Sequence, residues 1–296
     1  MTAASSTRAT RTVGILPRQS GSTFGAEITD IDLRTITAAD FAAIHRAWID
    51  HQVLLFRDQI LSDADLIAFS RRFGDLDQAP VQENGQRFVN GMPEIYIVSN
   101  VIENGVAIGS LGSGEAVWHT DMSYLPAPPK ASMLLALEIP PSGGDTSFCD
   151  MYAAYETLPP ALRDRALRMR VKHDGTYNSG GYVRQGVTPT EDPRAAPGTL
   201  HPLVCTHPES GRRMLYLGRR RMAWIEGLDL ADSTALLDEL WAHATQPAFS
   251  FTHHWRVGDL VLCDNRCTMH RRDPFDASAR RIMHRTQIKG AAPPAA

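Results

Sequence analysis

Three ionisable side chains, two close together and one about half the chain away, set the strongest limit on how this sequence can fold. In Trp118-His119-Thr120-Asp121-Met122-Ser123-Tyr124, His119 and Asp121 are two residues apart. On an extended backbone both project from one face, where an imidazole nitrogen and a carboxylate oxygen can share a small cation. Two donors leave such a cation under-coordinated, so a second imidazole has to arrive from elsewhere in the fold. The candidate is His270, which closes the stretch Cys263-Asp264-Asn265-Arg266-Cys267-Thr268-Met269-His270 and follows the apolar, strand-like run Asp259-Leu260-Val261-Leu262. Two histidines and one carboxylate on one face of an octahedron leave the other face open. That suits iron(II) taking up a chelating cosubstrate and dioxygen together.

Beyond His270 comes Arg280-Arg281-Ile282-Met283-His284-Arg285-Thr286-Gln287-Ile288, a β-like run in which residues 281, 283 and 285 share a face. Burying arginines on one face is costly unless they meet anions. A guanidinium fork takes a carboxylate through two parallel hydrogen bonds, so this face predicts at least one acidic small molecule beside the metal.

With these residues in view, the sequence resembles the taurine dioxygenase / 2,4-dichlorophenoxyacetate dioxygenase family of iron(II) and 2-oxoglutarate-dependent enzymes. The resembling pieces are Gly25-Ala26-Glu27-Ile28, Ser70-Arg71-Arg72-Phe73-Gly74, Trp118-His119-Thr120-Asp121, Pro141-Ser142-Gly143-Gly144-Asp145-Thr146, Asp264-Asn265-Arg266 and the closing arginines. They stand in family order over roughly residues 20 to 290. The resemblance implies a mainly β fold with flanking helices, a double-stranded β-helix or jelly roll with iron at its open end. It implies His119, Asp121 and His270 as iron ligands, Thr146 and Arg281 as the grip on the distal carboxylate of 2-oxoglutarate, and Arg285 as a contact to an anionic substrate. The implied reaction consumes 2-oxoglutarate and dioxygen, releases succinate and carbon dioxide, and hydroxylates a substrate C–H; on a carbon bearing an ether or a sulfonate the product fragments. Pro140 to Tyr155 and Gly258 to Arg281 look closer to the phenoxyacetate branch. Where the taurine branch carries His-Pro after Phe73-Gly74, this chain has Ala79-Pro80-Val81. The expected substrate is therefore an aryloxyalkanoate cleaved at its ether carbon, with an alkylsulfonate or sulfate ester as the alternative. A zinc hydrolase could use the same three ligands with a metal-bound water, but it has no use for Thr146 and Arg281.

A chain of 296 residues with 43% hydrophobic content can bury one large core, so residues 13–290 are expected to form one catalytic domain after a disordered tail at 1–12. The formal net charge of −3 gives no general attraction to nucleic acid or to an anionic membrane. Arg219-Arg220-Arg221 is read as a solvated or site-rim cluster. Cys149, Cys205, Cys263 and Cys267 are too few for a disulfide framework, and Cys263 and Cys267 are read as packing residues, since no second Cys/His pair stands at zinc-finger spacing. No apolar run approaches a membrane span. A reducing cytoplasm fits free thiols and ferrous iron, and a homo-oligomer is compatible with all of this.

Two capping signals, Thr37-Ala38-Ala39-Asp40 and Ser62-Asp63-Ala64-Asp65, predict helices whose inner faces carry Ile44, Ala47 and Trp48 and then Leu66, Ile67, Phe69 and Phe73. Asp150 is expected to cap Met151 to Leu158, Pro159-Pro160 to open a helix through Met169, and Asp229 to Ala244 to be amphipathic. Val53 to Phe56, Glu94 to Val98, Ala131 to Leu137, Phe249 to Trp255, Asp259 to Cys263 and Arg281 to Ile288 read as strands. Residues 75–117 and 176–200 lose periodicity and are expected to be lids. In the first, Asn100 either aims at substrate or makes a turn; in the second, Tyr177, Tyr182 and Arg184 either meet a substrate ring or pin the loop.

Overall fold

Val53-Leu54-Leu55-Phe56 is apolar without alternation, and its surroundings give the reason: both faces of this strand are covered. Leu54 and Phe56 pack with Ile44, Trp48, Leu66 and Phe69 of two helices, while Val53 and Leu55 join Phe148, Phe251 and Met283 on the other side. The structure, a computed structural model, describes residues 13–18, 24–79, 89, 91–218, 221–292 and 294–296. The expected tail at 1–12, Arg219 and Arg220, and part of the first expected lid lie outside them.

The fold is a mainly β jelly roll of two facing sheets. The large sheet orders its strands as Gly14–Pro17, Ala26–Thr29, Val53–Phe56, Leu260–Asp264, Ala131–Glu138, Ile282–Ile288, Tyr96–Ser99 and Ser110–Leu111; the small one as Ser250–His253, Thr146–Asp150, Thr268–Arg272 and Ala116–His119. Two late strands thus fill the middle of the large sheet. Leu260–Asp264 runs antiparallel between Val53–Phe56 and Ala131–Glu138, and Ile282–Ile288 antiparallel between Ala131–Glu138 and Tyr96–Ser99.

Both capping boxes form. Thr37 accepts from the Asp40 amide while Asp40 accepts from the Thr37 amide, opening α1 (Ala38–His51), and Ser62 with Asp65 does the same for α2 (Asp63–Arg71). These helices cover the outer face of the large sheet. A third cluster covers the outer face of the small sheet, where α3 (Met151–Glu156, capped by Asp150) and α5 (Leu230–Ala244, capped by Asp229) pack Tyr152, Leu236 and Leu240 on Cys149, Cys267 and Met269. The helix expected through Met169 stops earlier, as α4 (Pro160–Ala166), because Arg170–Lys172 is taken into a small side sheet with Leu200–Pro202 and Trp224–Ile225. All four cysteines are buried free thiols.

Candidate active site

His270 sits on its own strand, Thr268–Arg272, rather than trailing the apolar run before it. A turn at Asp264–Cys267 sends the chain back, with the Thr268 hydroxyl donating to the Asp264 carbonyl. This strand lies antiparallel to Ala116–His119, and the register sets His270 directly opposite His119. Cross-strand partners project to the same side, and the two imidazole centroids lie 4.2 Å apart. The extended backbone expected from His119 to Asp121 ends at His119; the chain then turns, and Met122 adopts a positive φ of 47°. The turn still carries the carboxylate inward. Asp121 Oδ1 is 3.5 Å from His119 Nε2 and 4.0 Å from His270 Nε2. His119 Nδ1–H donates to the Val117 carbonyl at 2.7 Å, which turns Nε2 toward the carboxylate.

The other carboxylate oxygen is held by three donors. Asp121 Oδ2 accepts from Ser132 Oγ at 2.9 Å, Gln287 Nε2 at 3.2 Å and Arg285 Nη1 at 3.2 Å. Asn265 Nδ2 in turn donates to the Ser132 hydroxyl at 2.9 Å. Burial alone would raise the Asp121 carboxyl, but Arg285 and the two imidazoles overrule it and hold the group well below the usual carboxylate range. An ionised carboxylate steered through one oxygen, beside two imidazoles, is a donor set that fits one small cation, and the three ligand atoms lie within 4.8 Å of one another.

These residues open on a cavity that Thr146, Arg281 and Arg285 also line, with Val98, Leu134 and Phe148 as an apolar wall. Arg281 is 1% exposed, yet among the described residues its Nε and Nη1 have no hydrogen-bond partner, and Nη2 reaches the Gly144 carbonyl only at 3.4 Å. Burial, and then the nearby Arg272, lower its pKa from the ordinary guanidinium value. Such a group fits an incoming anion. Gly144 makes room for it: φ is +70° there, and a Cβ would stand 3.3 Å from Arg281 Nε. The Thr146 hydroxyl accepts from Trp255 Nε1 at 3.0 Å, which leaves its proton to donate. The alternation that faces residues 281 and 285 to the cavity turns Thr286 outward, to the α2 residue Ser70 at 2.7 Å.

Asn100 is held by backbone groups. Its amide nitrogen donates to the Ala277 and Ala279 carbonyls at 3.1 and 2.8 Å, and its oxygen accepts from the Arg281 backbone N–H at 3.0 Å. Its hydrogen bonds tie down the approach to Arg281, and the residues lining the cavity do not include it. In the second expected lid, Arg184 stacks over Tyr124 and Arg221 over Tyr177, contacts that pin the loop; Ser179 reaches the cavity. His207, Asp264 and Cys267 also cluster, but the Asp264 carboxylate accepts from Arg266 Nε and Nη2 and from His207, a buried ion-pair network. Ser132, Gln287 and Asn265 are the site residues that the sequence reading gave no role. Gln287 could have been found by carrying the alternation of 281, 283 and 285 one step further, and Ser132 as the polar residue inside the apolar run Ala131–Leu137.

Comparison with known proteins agrees with this geometry. Residues 16–287 match the family described as taurine catabolism dioxygenase TauD, TfdA family. The chain is 39% identical over 272 residues to an alpha-ketoglutarate-dependent 2,4-dichlorophenoxyacetate dioxygenase of Cupriavidus pinatubonensis, covering 88% of this chain and 93% of that one. It is 34% identical over 286 residues to an (S)-phenoxypropionate/alpha-ketoglutarate-dioxygenase of Delftia acidovorans, covering 91% and 93%. The solved structure of AAD-2 in complex with Mn(II) and N-oxalylglycine is similar with a TM-score of 0.76 at 32% identity, covering 95% of this chain and 99% of that one. Among the described residues no helix is long and apolar enough to cross a membrane. The chain belongs to the TauD/TfdA family and is an iron(II)- and 2-oxoglutarate-dependent dioxygenase.

Proposed function

We propose that this dioxygenase acts on an aryloxyalkanoate, hydroxylating the carbon between the ether oxygen and the carboxylate. His119, Asp121 and His270 would hold the iron, and Thr146 with Arg281 the distal carboxylate of 2-oxoglutarate. Bound iron(II), with 2-oxoglutarate and dioxygen, supplies the oxidising power that replaces the C–H by C–OH. The chain's own part is orientation and exclusion of water. The observation that carries the substrate class is Arg285. It lines the cavity within 3.2 Å of Asp121, and among the described residues its buried Nε has no hydrogen-bond partner. A donor there suits a substrate carboxylate, and Val98, Leu134 and Phe148 offer an apolar wall to the ring. Hydroxylation at that carbon gives a hemiacetal, which loses the phenol as its hydroxyl oxygen becomes the carbonyl of a 2-oxo acid. The relatives named for 2,4-dichlorophenoxyacetate and phenoxypropionate support this reading. Four buried free thiols suit a reducing cytoplasm. The test is a panel of phenoxyacetates, phenoxypropionates, alkylsulfonates and sulfate esters scored by succinate formation. Phenoxy acids should be turned over; turnover confined to sulfonates or sulfate esters overturns the assignment.

A further inference from the structure

One cation in the cavity has no task in the account above. Arg272 stands two residues beyond His270 on the same strand, so its side chain shares the cavity face, and it lies directly across the sheet from Thr146. It is 6% exposed. Its Nη2 donates to the carbonyls of Leu111 and Gly114, while its Nε has no hydrogen-bond partner among the described residues. The guanidinium carbons of Arg272 and Arg281 lie 5.5 and 5.9 Å from the centre of one ring, that of Phe275. Among the described residues neither guanidinium makes an ion pair with a carboxylate, although both are buried. Two like charges out of water repel each other, and each carries a desolvation cost. An anion placed between them removes both penalties.

We propose that Arg272 is a second guanidinium for the distal carboxylate of 2-oxoglutarate, closing a three-sided clamp with Arg281 and Thr146. This rests on reading Arg281 and Thr146 as the site of that carboxylate. The position opposite Thr146 assigns Arg272 to the cosubstrate end of the cavity, away from Arg285. Because Arg272 also holds the Leu111 and Gly114 carbonyls, cosubstrate and the loop ahead of Ala116–His119 meet at one side chain.

The test is calorimetric titration of Mn(II)-loaded protein with 2-oxoglutarate and with 2-oxopentanoate, which keeps the chelating 2-oxo acid and replaces the distal carboxylate by a methyl group. Arg272→Met should weaken 2-oxoglutarate about 10- to 100-fold, the loss of one charge-assisted contact, and leave 2-oxopentanoate unchanged. Arg272→Lys, gentler on the fold, should show a smaller loss in the same selective pattern. Melting temperature and Mn(II) affinity identify any misfolded variant. Equal losses for both ligands would mean that Arg272 acts only through the loop, and the proposal fails; an unchanged 2-oxoglutarate affinity in both variants overturns it as well. Arg281→Met separates the two levels. If that variant keeps the wild-type preference for 2-oxoglutarate over 2-oxopentanoate, the distal carboxylate lies elsewhere and the underlying reading is at fault.

Discussion

Replacing Arg281 by Met should move two measurable quantities in opposite directions. Among the described residues its buried Nε and Nη1 have no hydrogen-bond partner. Each unsatisfied buried donor costs about 1–3 kcal/mol, so the two together cost about 2–6 kcal/mol. Met fills much of the same space with an apolar chain and gives up the long 3.4 Å contact to the Gly144 carbonyl and the guanidinium's place 5.9 Å from the Phe275 ring centre. With allowance for imperfect packing, a net gain of about 2 kcal/mol is expected, which raises the melting temperature by about 4 °C in a chain of this size. Binding of 2-oxoglutarate should suffer by far more. Two charge-assisted hydrogen bonds at about 1.5–3 kcal/mol each correspond to a loss of roughly 10²- to 10⁴-fold in affinity. Scanning fluorimetry of metal-free protein measures the first quantity, and calorimetry of the Mn(II)-loaded protein the second. A ligand-free variant that melts below the wild type refutes the reasoning, because the guanidinium would then be satisfied before any anion arrives.

Four other outcomes follow from the geometry. Ser132→Ala and Gln287→Leu each remove a donor from the distal oxygen of Asp121 and should weaken metal binding about 10- to 100-fold, read by Mn(II) titration; wild-type affinity in both would show that the carboxylate is aimed without them. Asn100→Ala should raise the KM for 2-oxoglutarate more than that for the primary substrate, since its oxygen holds the Arg281 backbone N–H; the reverse order would restore a substrate contact. Asp264→Asn should cost about 2–3 kcal/mol, read by urea denaturation, because Arg266 loses its fully buried carboxylate and keeps only the more exposed Glu209 at 2.6 Å. Burial would raise the Asp264 carboxyl, but Arg266 and His207 hold it below its ordinary value. The unfolded chain therefore binds the proton first, and this share of stability is complete above about pH 4 and drains away as the pH falls further. Stability of the Asn variant should accordingly be flatter below about pH 4, and an unchanged acid slope would assign it to other carboxylates.

Elements with a local cause were legible in the sequence. Both capping boxes, the Asp150 and Asp229 caps and the doubly covered strand at Val53–Phe56 follow from residues within a few positions of one another. The convergence of His119, Asp121 and His270 was legible too, because ligand chemistry demands a third donor. What escaped was set by tertiary register. The alternation that packs Cys267 and Met269 under α3 and α5 and turns His270 and Arg272 to the cavity is cut short by Arg271, so Thr268-Met269-His270-Arg271-Arg272 does not read as a strand. Asn100 looked like a turn or a substrate contact because its partners at Ala277, Ala279 and Arg281 lie far along the chain. Arg272 needed only the parity argument already applied to residues 281 and 285.

The order in which the large sheet is threaded has a consequence for biosynthesis. The strand Ala131–Glu138 is flanked on both sides by strands that leave the ribosome more than a hundred residues after it. Until Leu260–Asp264 emerges, Ala131–Glu138 has an open slot on each side, and until Ile282–Ile288 emerges one slot remains against Tyr96–Ser99, its two raw β edges a surface on which chains self-associate. Closure of that slot and assembly of the arginine-lined cavity are one late event, since the final strand carries Arg285 and Gln287. Chains truncated before Ile282 should aggregate rather than accumulate as an inactive, otherwise native core.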